Sequence, residues 1–357
     1  MSRPATPDAL ARARRDWLDG MRNAHRDEPS VRRTLDLGGA EWRSGNYDAA
    51  LALFLEASAR APTDEAVHLA VLRALTGLGQ RQRAEAYLQA VLRSGSVAPK
   101  LALVGAQLRF NPADPARARE VLAMSREPLP ILDLWAAALD CIESGVPPIP
   151  RATGDDALDE RWNGFCWLLT KHPATRLVGL PGDVLEHAAA ISRTDGLVLE
   201  CGVYFGRSIR NLARHLGQAT IHGFDSFEGL PEARSEREPA GSYSTAGHMP
   251  EVPANVILHR GWFERTLPDF LTRETGPIRL LHIDCDLYRS TQTVLEAARE
   301  RLVSGSLLVF DDFIGFPSSA EHEFRAFMEF ADRHGLRWQV RAGCLLGREV
   351  CIEVLGE

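Results

Sequence analysis

Two rhythms divide this chain. From residue 31 to residue 143, apolar side chains return every third or fourth position, the spacing of helices that bury one face. From residue 197 the pattern becomes short unbroken apolar runs at 197–201, 220–224, 256–259, 278–283 and 306–310, with two more at about 336–341 and 348–354. Runs of this length read as strands buried on both faces. Helix-period stretches lie between them at 207–216, about 264–272, 290–302 and 321–334. Strands alternating with helices predict an α/β fold with a doubly wound, parallel sheet. The last two runs are joined by a short connection bearing Gly343 and Gly347, which permits a hairpin and forbids a helical crossover, so an antiparallel final strand is expected. Residues 160–195 read as helical, a cover over the strand ends.

The first rhythm also repeats. Gly45, Tyr47, Ala50, Phe54, Ala57 and Pro62 return 34 residues later as Gly79, Arg81, Ala84, Leu88, Val91 and Ser96, and 34 later again as Ala113, Pro115, Ala118, Leu122, Ser125 and Pro130. The small residues let two antiparallel helices approach, and the large one fills the groove between them. The period is that of tetratricopeptide repeats, and the first copy resembles their consensus. This predicts an all-α, tetratricopeptide-like domain over 31–145, with copies at about 31–64, 65–98 and 99–132 and a capping helix at 131–143 around Leu134, Trp135 and Leu139. Residues 1–30 carry Arg, Asp and Glu at helical spacing around Trp17 and Leu18, the signature of a solvated lead helix. Pro147 and Pro148 stop a helix, which places a linker at 146–159 and the α/β domain at 160–357. Three roles for the repeats stay open: recruiting a protein partner, self-association, or bracing the second domain.

Composition narrows the choices. With 41 basic and 48 acidic residues the net charge is −7, which argues against nucleic acid as the main partner. No run approaches the ~18 apolar residues of a membrane helix. Residues 1–15 hold four Arg with Pro and Asp and no apolar stretch, unlike a secretory leader. The six Cys are scattered without a Cys-x-x-Cys, so zinc and redox motifs are absent and a reduced, cytoplasmic setting is expected. Only Lys100 and Lys171 are lysines, and neither sits in a motif, against Schiff-base or phosphate-loop lysine chemistry.

In open α/β sheets ligands bind at the carboxyl ends of the strands, where strand order reverses. The first run ends in Glu200-Cys201-Gly202 and continues through Tyr204 to Gly206 and Ser208. The glycines let backbone approach a ligand, and a helix N-terminus follows. The spacing is Glu-x-Gly-x-x-x-Gly, not the Gly-x-Gly-x-x-Gly of a dinucleotide fold, so a nicotinamide dehydrogenase is disfavoured. A pyrophosphate wants amides without a neighbouring carboxylate; Glu200 suits a ligand carrying an ammonium or sulfonium, as S-adenosylmethionine does. The second run ends at Asp225, where a carboxylate can accept both hydroxyls of a ribose, marking a nucleoside without choosing the cofactor. Tyr204 and Ser226, inside these two turns, complete the candidate donor contacts. The fourth run ends Asp284-Cys285-Asp286 and the fifth Asp311-Asp312. Acids gathered at one sheet edge repel, and a hard divalent cation such as Mg²⁺ resolves the conflict. Asp284, Asp311 and Asp312 are the candidate metal ligands. Asp286 reads as a cap of the following helix, and His282 as a buried, hydrogen-bonded residue. Tyr288, Arg289, Glu321 and His322 are candidates for lining an acceptor pocket.

The blocks at 197–231, His282–Thr291 and Asp311–Phe313 together resemble the macrocin O-methyltransferase family, class I S-adenosylmethionine-dependent methyltransferases. The resemblance covers about 180–355, with its blocks in family order. It implies a seven-stranded, Rossmann-like methyltransferase sheet, S-adenosylmethionine as donor and Mg²⁺ as activator of a substrate hydroxyl. Carried over by position, Glu200, Gly202, Gly206, Ser208 and Asp225 bind the donor, and Asp284, Asp311 and Asp312 hold the metal. Family members often have Gly where Cys285 stands and a small residue where Arg207 stands; these departures narrow space beside the metal and put a cation near the donor. The implied enzyme is an O-methyltransferase acting on a small molecule or sugar, with Asp284 as general base or metal-bound proton acceptor. The alternatives are a methyltransferase whose repeats recruit a protein acceptor, and a catalytically silent scaffold.

Overall fold

The computed structural model describes residues 7–93 and 95–356, so the first six residues of the expected lead helix lie outside the described residues. Helix α1 (Pro7–Asp27) is followed by three helical hairpins: α2 (Val31–Arg43) with α3 (Tyr47–Arg60), α4 (Glu65–Gly77) with α5 (Arg81–Leu92), and α6 (Pro99–Arg109) with α7 (Ala116–Ala123). The first helix of each hairpin starts where local chemistry permits it. Ser30 Oγ accepts from Arg33 N, Asp64 Oδ1 accepts from Ala66 N and Val67 N, and Pro99 occupies the first turn of α6, where no N–H is needed. Those starts, at 31, 65 and 99, keep the 34-residue interval of the sequence. Ala50, Ala84 and Ala118, the small residues of the repeat, are all fully buried between paired helices. Helix α8 (Pro130–Ser144) closes the stack with Leu134, Trp135 and Leu139 buried, and ends on Gly145 in the left-handed region. An irregular segment leads to α9 (Asp156–Lys171), capped by Asp155.

The second half runs β1 (Arg176–Val178), α10 (Pro181–Ile191), β2 (Leu197–Cys201), α11 (Arg207–Leu216), β3 (Ile221–Asp225), β4 (Val256–Arg260), α12 (Phe263–Arg273), β5 (Ile278–Ile283), α13 (Tyr288–Ala298), β6 (Leu302–Phe310), α14 (Glu323–Arg333), β7 (Arg337–Cys344) and β8 (Val350–Gly356). The sheet order is β1-β7-β8-β6-β5-β2-β3-β4. Strand β8 is antiparallel to β6 and β7, as the short connection requires, and every other pairing is parallel. Among the described residues the sheet has eight strands, which corrects the expected seven. The extra one, β1, lies in the stretch read as wholly helical. Its three residues pair only with β7, too short a run to leave an apolar signature.

Helices α10 and α11 cover one sheet face, where Val184, Ile209 and Leu212 pack on Val198, Leu280 and Val309. The other face carries α9, α12, α13 and α14, and its apolar cluster runs on without a break into α6, α7 and α8. The helical array therefore packs against the sheet. Phe205, in the turn after β2, is buried among Tyr47, Leu51 and Leu180. Gly45 is required there: at φ +80° a Cβ would stand 2.8 Å from the Phe205 side chain. Asn211 Nδ2 donates to Gly77 O at 3.1 Å, Arg214 to Leu78 O at 2.7 Å, and Arg81 pairs with Asp183 at 2.9 Å. Among the described residues no helix is long and apolar enough to cross a membrane.

Candidate active site

Strand order reverses between β5 and β2, and register brings their ends together. Cys201 lies opposite Ile283, and Ile283 opposite Phe310, so the residues that follow, Gly202, Asp284 and Asp311, meet at one edge. Asp284 N donates to Cys201 O and Asp311 N to Ile283 O, fixing both acids at the strand tips. The approach is so close that only glycine fits beside it. At Gly202 (φ +96°) a Cβ would fall 1.9 Å from the Asp284 carbonyl oxygen.

The turn after β2 is held by Asp225 at the end of β3. Its Oδ2 accepts from Val203 N (2.8 Å) and Tyr204 N (2.7 Å), and its Oδ1 from Phe227 N (2.7 Å). Three amides leave part of the carboxylate's roughly four acceptor positions open to a ligand. This clamp also holds Tyr204 and Phe227 at positive φ (51° and 60°), conformations that need such support. The turn borders a cavity of about 950 Å³. Gly202, Tyr204, Ser208, Asp225, Ser226, Asp284, Asp311 and Asp312 all line it, so most expected site residues converge on one space. Trp262, Arg234, Arg289 and Arg348 line it too.

Glu200 and Gly206 stand apart from that wall. Gly206 caps the N-terminus of α11 at φ +77°. Glu200 is fully buried; its Oε1 accepts from Ser208 Oγ (2.9 Å) and its Oε2 pairs with His282 Nδ1 (3.0 Å). It therefore acts on the cavity through Ser208. His282 is buried and hydrogen-bonded, as its place in the strand suggested. Burial pulls its pKa down, but the Glu200 carboxylate more than offsets this and the net shift is upward.

The acids feel one another. Burial raises Asp284 well above the usual carboxylate range, and the charges of Asp311 and Asp286 push it further. Asp311 is raised by burial too, with His282 pulling the other way. Asp312 is held by two arginines. Its Oδ2 takes Arg234 Nη2 at 2.5 Å and its Oδ1 takes Arg348 Nη1 at 3.0 Å. Arg234, 6% exposed, also takes Asp286 Oδ1 at 2.5 Å, and both guanidinium groups lie over the Phe316 ring. Asp286 is thus no helix cap: the cap position of α13 is Leu287, and Asp286, at φ 62°, turns its carboxylate to Arg234 instead. Burial pushes Asp286 up to about 7 against the pull of Arg234. Among the described residues no three His, Cys, Asp or Glu side chains stand together as a metal cage. The expected Asp284–Asp311–Asp312 set is not gathered as one, because two arginines already neutralise Asp312.

Three residues here escaped the sequence reading: Arg234, Arg348 and Glu323. Glu323 is fully buried and ties the strand ends together, accepting from Cys285 N and Asp286 N with Oε1 and from Asp312 N with Oε2. A carboxylate in the first turn of a helix two elements later was the one available signal. Of the residues read as acceptor-lining, Arg289 borders the cavity. Tyr288 bonds Glu329, Glu321 pairs with Arg325, and His322 stacks on Phe316.

Residues 199–313 match a family described as a methyltransferase domain. The chain is 29% identical over 206 residues to 8-demethyl-8-(2,3-dimethoxy-alpha-L-rhamnosyl)-tetracenomycin-C 4'-O-methyltransferase of Streptomyces olivaceus, covering 50% of this chain and 77% of that one. It is 28% identical over 187 residues to demethyldecarbamoylnovobiocin O-methyltransferase of Streptomyces niveus, covering 45% of this chain and 66% of that one. Among solved structures, the O-methyltransferase NovP aligns at 18% identity over 50% of this chain and 81% of its own, with a TM-score of 0.40. The matched stretch begins one residue before Glu200 and ends just past Asp312, so it spans the strand ends that build the cavity, and the chain is an S-adenosylmethionine-dependent methyltransferase.

Proposed function

We propose that the chain is an O-methyltransferase acting on a hydroxyl of a small molecule or sugar, of the kind made in natural-product biosynthesis. One observation carries the reading: Asp284 and Asp311, two acids with raised pKa at adjacent strand tips, border the same cavity as the Gly202–Ser208 turn and Asp225. Both named curated relatives methylate oxygen, which supports the same reaction class.

S-adenosylmethionine, when bound, supplies an electrophilic methyl group on a sulfonium. The chain's own residues would bind and align it. The Gly202–Ser208 turn and the α11 N-terminus receive the amino-acid end, the open part of Asp225 takes the ribose, and Ser226 and Trp262 border the nucleoside. The acceptor hydroxyl is placed against Asp284, the carboxylate at the tip of β5 that would take its proton. Aligning the two reactants supplies much of the rate.

The donor set also fits a hard divalent cation. Asp284 and Asp311 offer oxygen only and lie at neighbouring tips, and Mg²⁺ commonly takes one or two carboxylates and keeps several waters. Mg²⁺, when bound, would lower the pKa of the acceptor hydroxyl. Asp284 and Asp311 would hold it, with Asp312 joining only by releasing Arg234 or Arg348. Asp311→Asn is expected to abolish metal-stimulated turnover while leaving donor binding within about threefold.

We read the three hairpins as tetratricopeptide-type repeats and residues 160–357 as the catalytic domain, supported by the 34-residue interval and the buried Ala50, Ala84 and Ala118. The six free cysteines support a reduced, cytoplasmic setting. The test of the reaction is transfer of a labelled methyl group from S-adenosylmethionine to a panel of sugar and phenol acceptors. Label stable to mild base, as an ether is, is expected in at least one acceptor. Intact donor binding with label only on protein or on nitrogen would contradict the reading.

A further inference from the structure

A second cavity, of about 500 Å³, lies between the helical array and the sheet domain. Helices α2 and α4 form one side and α10 and α11 the other, and its walls are largely apolar: Trp42, Phe54, Ala70, Leu180, Leu185 and Leu212. It is not separate from the donor cavity. Trp42, Arg43, Arg207, Ser208 and Asp311 line both, so the two spaces meet at the strand tips.

Acids and arginines both line it. Arg43, Arg73 and Arg207 reach its edge, all three exposed, and no ion pair joins any of them to a carboxylate of the described residues. Of the four acids in the lining, Asp183 pairs with Arg81 at 2.9 Å and Glu186 with His215 at 3.1 Å, while Asp311 and Glu349 complete the set. An apolar chamber with three available guanidinium groups at its mouth is built for an organic anion, since Arg binds carboxylate, sulfonate and phosphate through fixed N–H forks. Its volume lies in the range of small-molecule sites, roughly 300–1,000 Å³.

We propose that this chamber is the acceptor subsite, and that the acceptor is a ring-bearing organic anion. Its apolar body lies between α2, α4, α10 and α11, its anionic group meets Arg43, Arg73 and Arg207, and its hydroxyl reaches past Trp42 to Asp311. The proposal rests on the donor site described above. The helical array then has a specific role, because the repeats form a wall of the active site and set which molecules reach the methyl group.

The test uses the full chain and two fluorescent probes, 8-anilinonaphthalene-1-sulfonate and its neutral counterpart N-phenyl-1-naphthylamine. The sulfonate is expected to bind saturably and at least tenfold more tightly than the neutral probe. Arg73→Glu, at a position that lines this chamber and not the donor cavity, is expected to lower that preference at least threefold. Ala70→Phe, which fills the chamber from α4, is expected to weaken both probes at least tenfold. Gly39→Leu fills it from α2, where a Cβ meets only the Arg43 guanidinium at 3.4 Å, and serves if Ala70→Phe fails to fold. Calorimetry with S-adenosylhomocysteine runs in parallel and is expected to be unchanged within about twofold in every variant. Probe affinities indifferent to the filling variants, or equal for the two probes, would overturn the acceptor subsite. Absence of S-adenosylhomocysteine binding to the wild-type chain would overturn the donor site instead.

Discussion

At the scale of single residues, the site depends on groups that keep acids close together. Arg234 carries the heaviest share, because among the described residues it alone bridges Asp286 and Asp312. Removing it leaves Asp286 without its cation and Asp312 with Arg348 alone, the costly half of breaking a buried pair. Arg234→Ala is expected to lower methyl transfer at least a hundredfold while S-adenosylhomocysteine affinity changes less than threefold, read by turnover and calorimetry. Gly202 is the other fixed point. Gly202→Ala forces a methyl group into the Asp284 carbonyl at a positive φ, so loss of donor binding and a fall in stability well above 1 kcal/mol are expected in calorimetry and urea unfolding. The sequence exposed one of these residues and hid the other. Gly202 was legible because strand-end glycines have few uses, and the acids were legible because they close apolar runs. Arg234 was not, since its partner Asp286 is 52 residues away and one arginine among many carries no mark.

At the scale of elements, the repeating helices and the strands were readable wherever a periodic apolar pattern was long enough to register. The three hairpins begin where the sequence interval placed them. Strand β1 was too short to register, and Asp286 was misread because a strand-end acid before a helix looks the same whether it caps the helix or turns to a distant arginine. Packing inside the hairpins follows the pattern of small and large residues. Leu88 is fully buried against α6, and Leu88→Ala is expected to cost about 2–5 kcal/mol in urea unfolding. Strands β3 and β4 bring a second pair of titrating groups together. His259 stacks on Phe224 at 4.5 Å, lies 3.1 Å from His222, and is lowered to about 4 by burial and by His222. The unfolded chain then binds this proton more tightly than the folded one. Its stabilising neutral state is present above about pH 6.5 and is lost as pH falls toward 4. His259→Phe is expected to flatten the acid side of the stability profile by roughly 1–2 kcal/mol between those values, after allowance for the partial exposure of the ring. An unchanged slope would remove the pair as a source of acid sensitivity.

At the scale of the whole molecule, the helical array and the sheet domain make one working unit. Phe205, in the donor turn itself, is buried in the core of the array, and α11, which follows that turn, is tied to the ends of α4. A disturbance in the repeats therefore reaches the site through packed side chains. The sequence read as a helical half followed by an α/β half, but the surface where the helices meet the sheet has no periodic signature and was invisible until the fold was known. Donor binding, acceptor placement and the role of the array all depend on the tips of β2, β3, β5 and β6 forming a nucleoside-sulfonium site. Titration calorimetry of the full chain with S-adenosylhomocysteine tests this most directly. The prediction is saturable one-to-one binding that is lost in Asp225→Ala, with the variant still folded by circular dichroism. A wild-type chain that gives no binding heat, or a folded Asp225→Ala variant that binds as well as the wild type, would contradict it.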